Sequence, residues 1–80
     1  MKDLIEFLVK NIVSEPERIE IKELESENGE IIQLKVAKDD MGKIIGKGGR
    51  TIKALRTLLK IKAIKTGRRA YLELSEPSQP

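Results

Sequence analysis

Ile44-Ile45-Gly46-Lys47-Gly48-Gly49-Arg50-Thr51-Ile52-Lys53 is the stretch on which the fold of this chain turns. Two apolar residues lead into a Gly-x-x-Gly turn, Gly46 to Gly49, and a helical pattern begins immediately after it. Three glycines in four residues remove the Cβ atoms, so another chain can approach the backbone closely. The start of the following helix offers unpaired N–H groups and the positive end of a helix dipole. Together these features suit an anion, above all a phosphate. Lys43, Lys47, Arg50 and Lys53 place positive charge around that site.

C-terminal to the turn, the pattern predicts a long helix from about Arg50 to about Lys65, ended by Thr66-Gly67. At roughly 100° per residue its side chains divide into three stripes. Ile52, Leu55, Leu59 and Ala63 form one, which should pack on a sheet. Lys53, Arg56 and Lys60 form a basic second, and Ala54, Leu58 and Ile61 an apolar third. A helix on one sheet needs a single apolar face, so the third stripe is surplus. Either an N-terminal helix covers Leu58 and Ile61, or a second subunit does, with Ala54, Leu58 and Ile61 as the interface. Beyond the helix, Ala70, Leu72 and Leu74 alternate as a strand.

N-terminal to the turn, Asp39 or Asp40 can cap a short helix running through Ile45. Ile32, Leu34 and Val36 alternate as a strand, and Asn28-Gly29 signals a two-residue hairpin turn into it. Ile19 and Ile21 begin the preceding strand; Leu24 falls on the other parity, so a bulge is expected there. Leu4, Ile5, Leu8, Val9, Ile12 and Val13 outline an amphipathic helix stopped by Ser14-Glu15-Pro16. Phe7 is expected in the core. The order is α-β-β-α-turn-α-β. It implies a two-layer α+β domain over residues 1–75, its three-stranded sheet covered by helices on one face, and a disordered tail, 76–80.

The chain has 80 residues, 39% hydrophobic and 36% charged, without cysteine or histidine. That excludes disulfides, thiolate metal sites and the commonest general base; no metal or cofactor is expected. The net charge of +3 is segregated: residues 1–40 carry 6 Lys+Arg against 11 Asp+Glu, whereas residues 41–80 carry 10 against 2. A basic half on a folded domain fits a polyanion. No apolar run approaches the ~20 residues of a membrane span, and no signal-peptide pattern opens the chain, so a cytoplasmic location is expected. The glycine run matches neither a Walker A loop nor the dinucleotide fingerprint, whose third glycine is replaced by Thr51. Phe7 and Tyr71 are the only aromatics, too few for a stacking surface of the RRM or OB type. Tyr71 lies on the strand face opposite Leu72, and Arg68 and Arg69 read as ordinary solvated charges, with a secondary phosphate contact as the alternative.

Ile44 through Arg56, with the element order around it, resembles the K-homology (KH) domain in its type II arrangement, and the whole chain is similar to the small stand-alone bacterial KH proteins of the KhpA family. The resemblance implies that Gly46, Lys47, Gly48 and Gly49 clamp the sugar-phosphate backbone of single-stranded RNA, with Lys47 and Arg50 on phosphates. One of Ile44 and Ile45 would line an apolar groove for bases, and the other would enter the core. Lys43, Lys53 and Arg56 would extend the positive rim, and Gly48 would make the clamp more flexible. Family members pair with themselves or with a larger Jag-like KH protein (KhpB), in keeping with the surplus stripe. The implied function is non-catalytic RNA binding, as an RNA chaperone or post-transcriptional regulator; a dimerisation or scaffold module with weak RNA binding is the alternative.

Overall fold

Three runs of alternating residues pair into one sheet: β1 (Glu20–Ser26), β2 (Gly29–Lys35) and β3 (Ala70–Leu74). The computed structural model describes residues 1–75; the expected tail, 76–80, lies outside the described residues. Strand order is β1-β2-β3, with β1 antiparallel and β3 parallel to β2. Because side chains alternate across a strand, the register stacks Ile21, Leu34 and Leu74 in one row and Ile32 with Leu72 in the next. These rows face the core, in which Ile32, Leu34 and Leu72 are buried.

Three helices cover that face: α1 (Lys2–Lys10), α2 (Met41–Ile45) and α3 (Arg50–Lys65). The first stripe of α3 is its buried face, since Ile52, Leu55, Leu59 and Ala63 are the helix's buried residues. Ile5 and Val9 from α1 and Ile44 from α2 complete the cluster. The result is the two-layer α+β architecture that the sequence pattern implies. At the end of α3, Gly67 takes φ +72° and Arg68 N–H donates to the Ala63 carbonyl at 2.8 Å, so the helix stops where Thr66-Gly67 requires.

Several local expectations are corrected. The β1–β2 ladder is continuous from Glu20↔Lys35 to Ser26↔Gly29, so there is no bulge at Leu24. Leu24 lies on the outer sheet face, paired with Ile31. The hairpin turn falls one residue early, on Glu27 and Asn28, and neither has positive φ. Gly29 carries that conformation instead, at φ +128°, where a Cβ would meet the Arg69 carbonyl oxygen at 2.5 Å. α1 ends at Lys10, ahead of the Ser14-Glu15-Pro16 stop, and Ile12 and Val13 pack on the core from outside it. Phe7 is 66% exposed. It stands two residues from both Ile5 and Val9, about 200° round the helix from each, so the face that buries them turns Phe7 to solvent. Nor does α1 cover the surplus stripe, because Leu58 and Ile61 are both exposed.

Candidate nucleic-acid interface

The glycine turn joins α2 to α3 through a short 3-10 turn, Lys47–Gly49. Each glycine has positive φ, but for different needs. Gly46 sits at φ 76°, ψ 171°, a region open essentially to glycine alone. Its missing Cβ is also a space requirement, since a methyl there would lie 2.8 Å from the Thr51 backbone nitrogen. Gly48 and Gly49 are left-handed, at φ 66° and 78°, and a Cβ on either would meet nothing within 4 Å. Gly48 is thus a fixed left-handed position, not simply a source of flexibility.

Gly49 is the N-cap of α3, and no side chain caps the helix there. Two N–H groups at this end are taken up within the turn, Gly49 donating to the Gly46 carbonyl at 3.1 Å and Arg50 to that of Lys47, and the positive end of the dipole of a 16-residue helix lies at the turn. Lys47, Arg50 and Lys53 are exposed around them and form no ion pair among the described residues. A helix start without a side-chain cap, a dipole end and exposed cations that form no ion pair among the described residues have the character that suits an anion.

The other sequence-predicted site residues divide. Ile44 is fully buried, so of the isoleucine pair Ile45, 40% exposed, is the one presented at the surface beside the turn. Lys43 is held back: its ammonium lies 3.6 Å from Asp40 Oδ1 and donates a hydrogen bond to Ser14 Oγ. Arg56 projects from α3 toward β3, where its Nε reaches the Leu72 carbonyl at 3.4 Å. Ala54, Leu58 and Ile61 all lie exposed on α3, with Ile64 and Phe7 adding to the solvent-facing apolar surface.

Two residues carry more than sequence reasoning assigns them. Asp40, at the N-cap position of α2, makes no capping hydrogen bond with its side chain. It is buried, and accepts hydrogen bonds from the N–H groups of Ser14 at 2.9 Å and Glu15 at 3.1 Å. The Ser14 N–H is the main force holding its carboxyl below the ordinary value of 3.8; burial opposes it, and Glu15 N–H and the Lys43 ammonium reinforce it. This contact ties the helix leading into the glycine turn to the loop after α1. Arg68 is structural rather than simply solvated: its Nη1 lies 2.7 Å from the buried Glu30 carboxylate and its Nη2 3.6 Å from Glu25. Glu30 shares the core-facing parity of Ile32 and Leu34, and an acid there is a readable request for a cation.

Comparison with known proteins then places the chain. The family model described as "KhpA/KhpB, KH domain" matches residues 2–74. The chain belongs to the KhpA/KhpB KH-domain family. Among its relatives, a protein of Chlamydia trachomatis named RNA-binding protein KhpA is 49% identical over 76 residues, 95% of this chain and 97% of that one. The protein of the same name from Clostridium perfringens is 43% identical over 74 residues, 92% and 99% of the two chains. That of Borreliella burgdorferi is 44% identical over 72 residues, 90% and 88%. The KH family assignment agrees with the α-β-β-α-α-β order and the mixed sheet observed.

Proposed function

We propose that this chain binds single-stranded RNA without catalysis, gripping the backbone at Gly46-Lys47-Gly48-Gly49. The observation that carries this reading is the start of α3, without a side-chain cap, reached over bare glycine backbone and flanked by exposed cations that form no ion pair among the described residues. Phosphates sit at the N–H groups of that helix with Lys47 and Arg50; Lys53 and Arg56 continue the positive rim; Ile45 offers an apolar contact to a base. Lys43 serves the Asp40 contact first and the rim second. Relatives over the whole domain are named RNA-binding proteins, which supports RNA as the ligand. A chaperone or regulatory role fits a protein that grips backbone and leaves sequence choice to a few contacts.

The Gly48→Asp, Gly49→Asp double variant tests it. Both positions are left-handed, which Asp tolerates better than most residues, and neither Cβ meets a neighbour, so the fold should persist by circular dichroism. Binding to a labelled single-stranded RNA, read by fluorescence anisotropy, should be abolished. Unchanged affinity in the folded variant would mean that the strand is held elsewhere.

A second reading rests on its own observation. Ala54, Leu58 and Ile61, uncovered by α1, form a subunit interface, with a second copy or a larger KH protein of the KhpB kind as partner. The two readings are compatible, since pairing places two clamps on one strand and raises its affinity.

A further inference from the structure

A groove of about 480 Å³ lies in the acid-rich half of the molecule, between α1 and the start of β1, and no residue of the glycine turn lines it. Lys2, Glu6 and Lys10 of α1 face Glu17, Ile19 and Ile21 of the segment that enters the strand. We propose that this groove takes an extended peptide segment of a partner protein, added to the sheet as a further strand beside β1. Acidic, basic and acidic side chains at alternate positions of that segment meet Lys10, Glu6 and Lys2.

β1 is an edge strand, paired only with β2, and its outward-facing N–H and C=O groups have no protein partner among the described residues. Such a row is a template for another strand. The charges lining the groove are also unspent. Lys2, Glu6, Lys10 and Glu17 form no ion pair among the described residues, although the three on α1 stand four apart, a spacing that permits pairing. Their line runs alongside the strand: the Met1 amino group lies 3.9 Å from Glu23 Oε2, so α1 starts near the middle of β1, and Lys10 shares the groove with Glu17, ahead of it. Four residues of helix advance about 6 Å, and two residues of strand about 6.6 Å. Alternate side chains of an added strand therefore keep step with Lys2, Glu6 and Lys10. Ile19 and Ile21, half-buried at the same two-residue spacing, take the aliphatic stems of those side chains. Other occupants fit worse. A nucleic-acid backbone carries one sign of charge and would meet Glu6 and Glu17 along this line. A second copy pairing antiparallel about the middle of β1 would set Glu23 on Glu23 and Ile21 on Glu25.

Two end-capped peptides of one composition test the proposal: Thr-Glu-Val-Lys-Val-Glu-Thr, with the matching charge order, and Thr-Glu-Val-Glu-Val-Lys-Thr, with a broken one. Each is titrated into the full chain while the backbone amides are followed by NMR. The matching peptide should shift the amides of α1 and β1 and slow solvent exchange of the outward-facing β1 amides. The broken order should bind about ten-fold more weakly. Combining Lys2→Glu, Glu6→Lys and Lys10→Glu reverses the line at exposed positions, and circular dichroism checks the fold. That variant should lose about ten-fold for the matching peptide and favour one with Lys, Glu and Lys at the alternate positions. If it does not fold, the two peptides on the wild type decide alone. β1 amides unmoved at about 1 mM matching peptide, or equal affinity for the two orders, would overturn the proposal. So would β1 amides that move when the protein alone is concentrated, which would make the occupant a second copy, or when an oligouridylate is added, which would make it nucleic acid. Binding here does not depend on the glycine turn, so saturating the turn with RNA should leave the peptide's affinity unchanged.

Discussion

Gly46 and Gly48 stand two positions apart in one turn and should respond differently to the same substitution. Gly46→Ala puts a methyl against Thr51 in a backbone conformation that costs on the order of 1–3 kcal/mol before any clash. Gly48→Ala meets open space and should cost only about 1–2 kcal/mol for its left-handed φ. Urea denaturation should show a much larger fall in midpoint for Gly46→Ala; equal falls would mean that the Thr51 contact relaxes away. Asp40 makes a prediction of opposite kind, in pH. Its carboxyl is lowered in the folded protein, so the stabilisation it gives is complete well above 3.8 and is lost as pH falls through the folded value, below 3.8. Asp40→Asn should be less stable at neutral pH and lose less further stability on acidification than wild type. Parallel pH–stability curves for the two proteins would remove Asp40 as a source of acid sensitivity.

Helical phase explains most of what the sequence makes legible at the scale of elements, and one failure comes from setting phase aside. The stripe Ile52, Leu55, Leu59 and Ala63 is the buried face of α3, the larger of the two apolar groupings that 100° per residue yields. The same arithmetic turns Phe7 away from Ile5 and Val9; the expectation of a core phenylalanine follows residue type instead of position. The glycine turn and the ends of α3 are readable because the glycines that flank the helix, Gly46 to Gly49 before it and Gly67 after it, are local signals. Asp40 was not, because its partners, Ser14 and Glu15, are 25 or more residues away and only the tertiary fold brings their N–H groups to it. Nor could sequence choose between Ile44 and Ile45, since adjacent residues of a five-residue helix differ only in which way α2 docks. The exposed stripe of α3 yields a prediction at this scale. Ile61 is 55% exposed, so Ile61→Asp adds a charge without emptying the core, and thermal stability at low concentration should hardly change. Light scattering should find a smaller species than wild type; a wild type that is itself monomeric at high concentration removes this face as a self-association surface.

At the scale of the molecule, charge and architecture divide along the same line. The acid-rich first forty residues build α1, β1 and β2, and the basic half builds α2, the glycine turn, α3 and β3. Glu20, Glu23, Glu25 and Glu27 lie exposed along β1 and its hairpin, while Lys47, Arg50 and Lys53 lie exposed about the turn. On the proposed reading, a phosphate chain would be drawn to the turn and repelled from β1, which would orient it before any base is read. The number of phosphates neutralised can be counted from salt dependence, because each contact to a single strand contributes about −0.7 to the slope of log affinity against log salt. Contacts from Lys47, Arg50 and Lys53 predict a slope of about −2 for one domain on a short strand. Replacing Arg50 by Gln should make it shallower by about 0.7 and weaken binding to all sequences alike, since a phosphate contact carries no base information. Two paired copies on one long strand should double the wild-type slope, whereas Ile61→Asp, held to a single clamp, should keep the short-strand value. A flat salt response would leave the charge segregation without a role in binding, and an unchanged slope in Arg50→Gln would take that residue off the phosphate path.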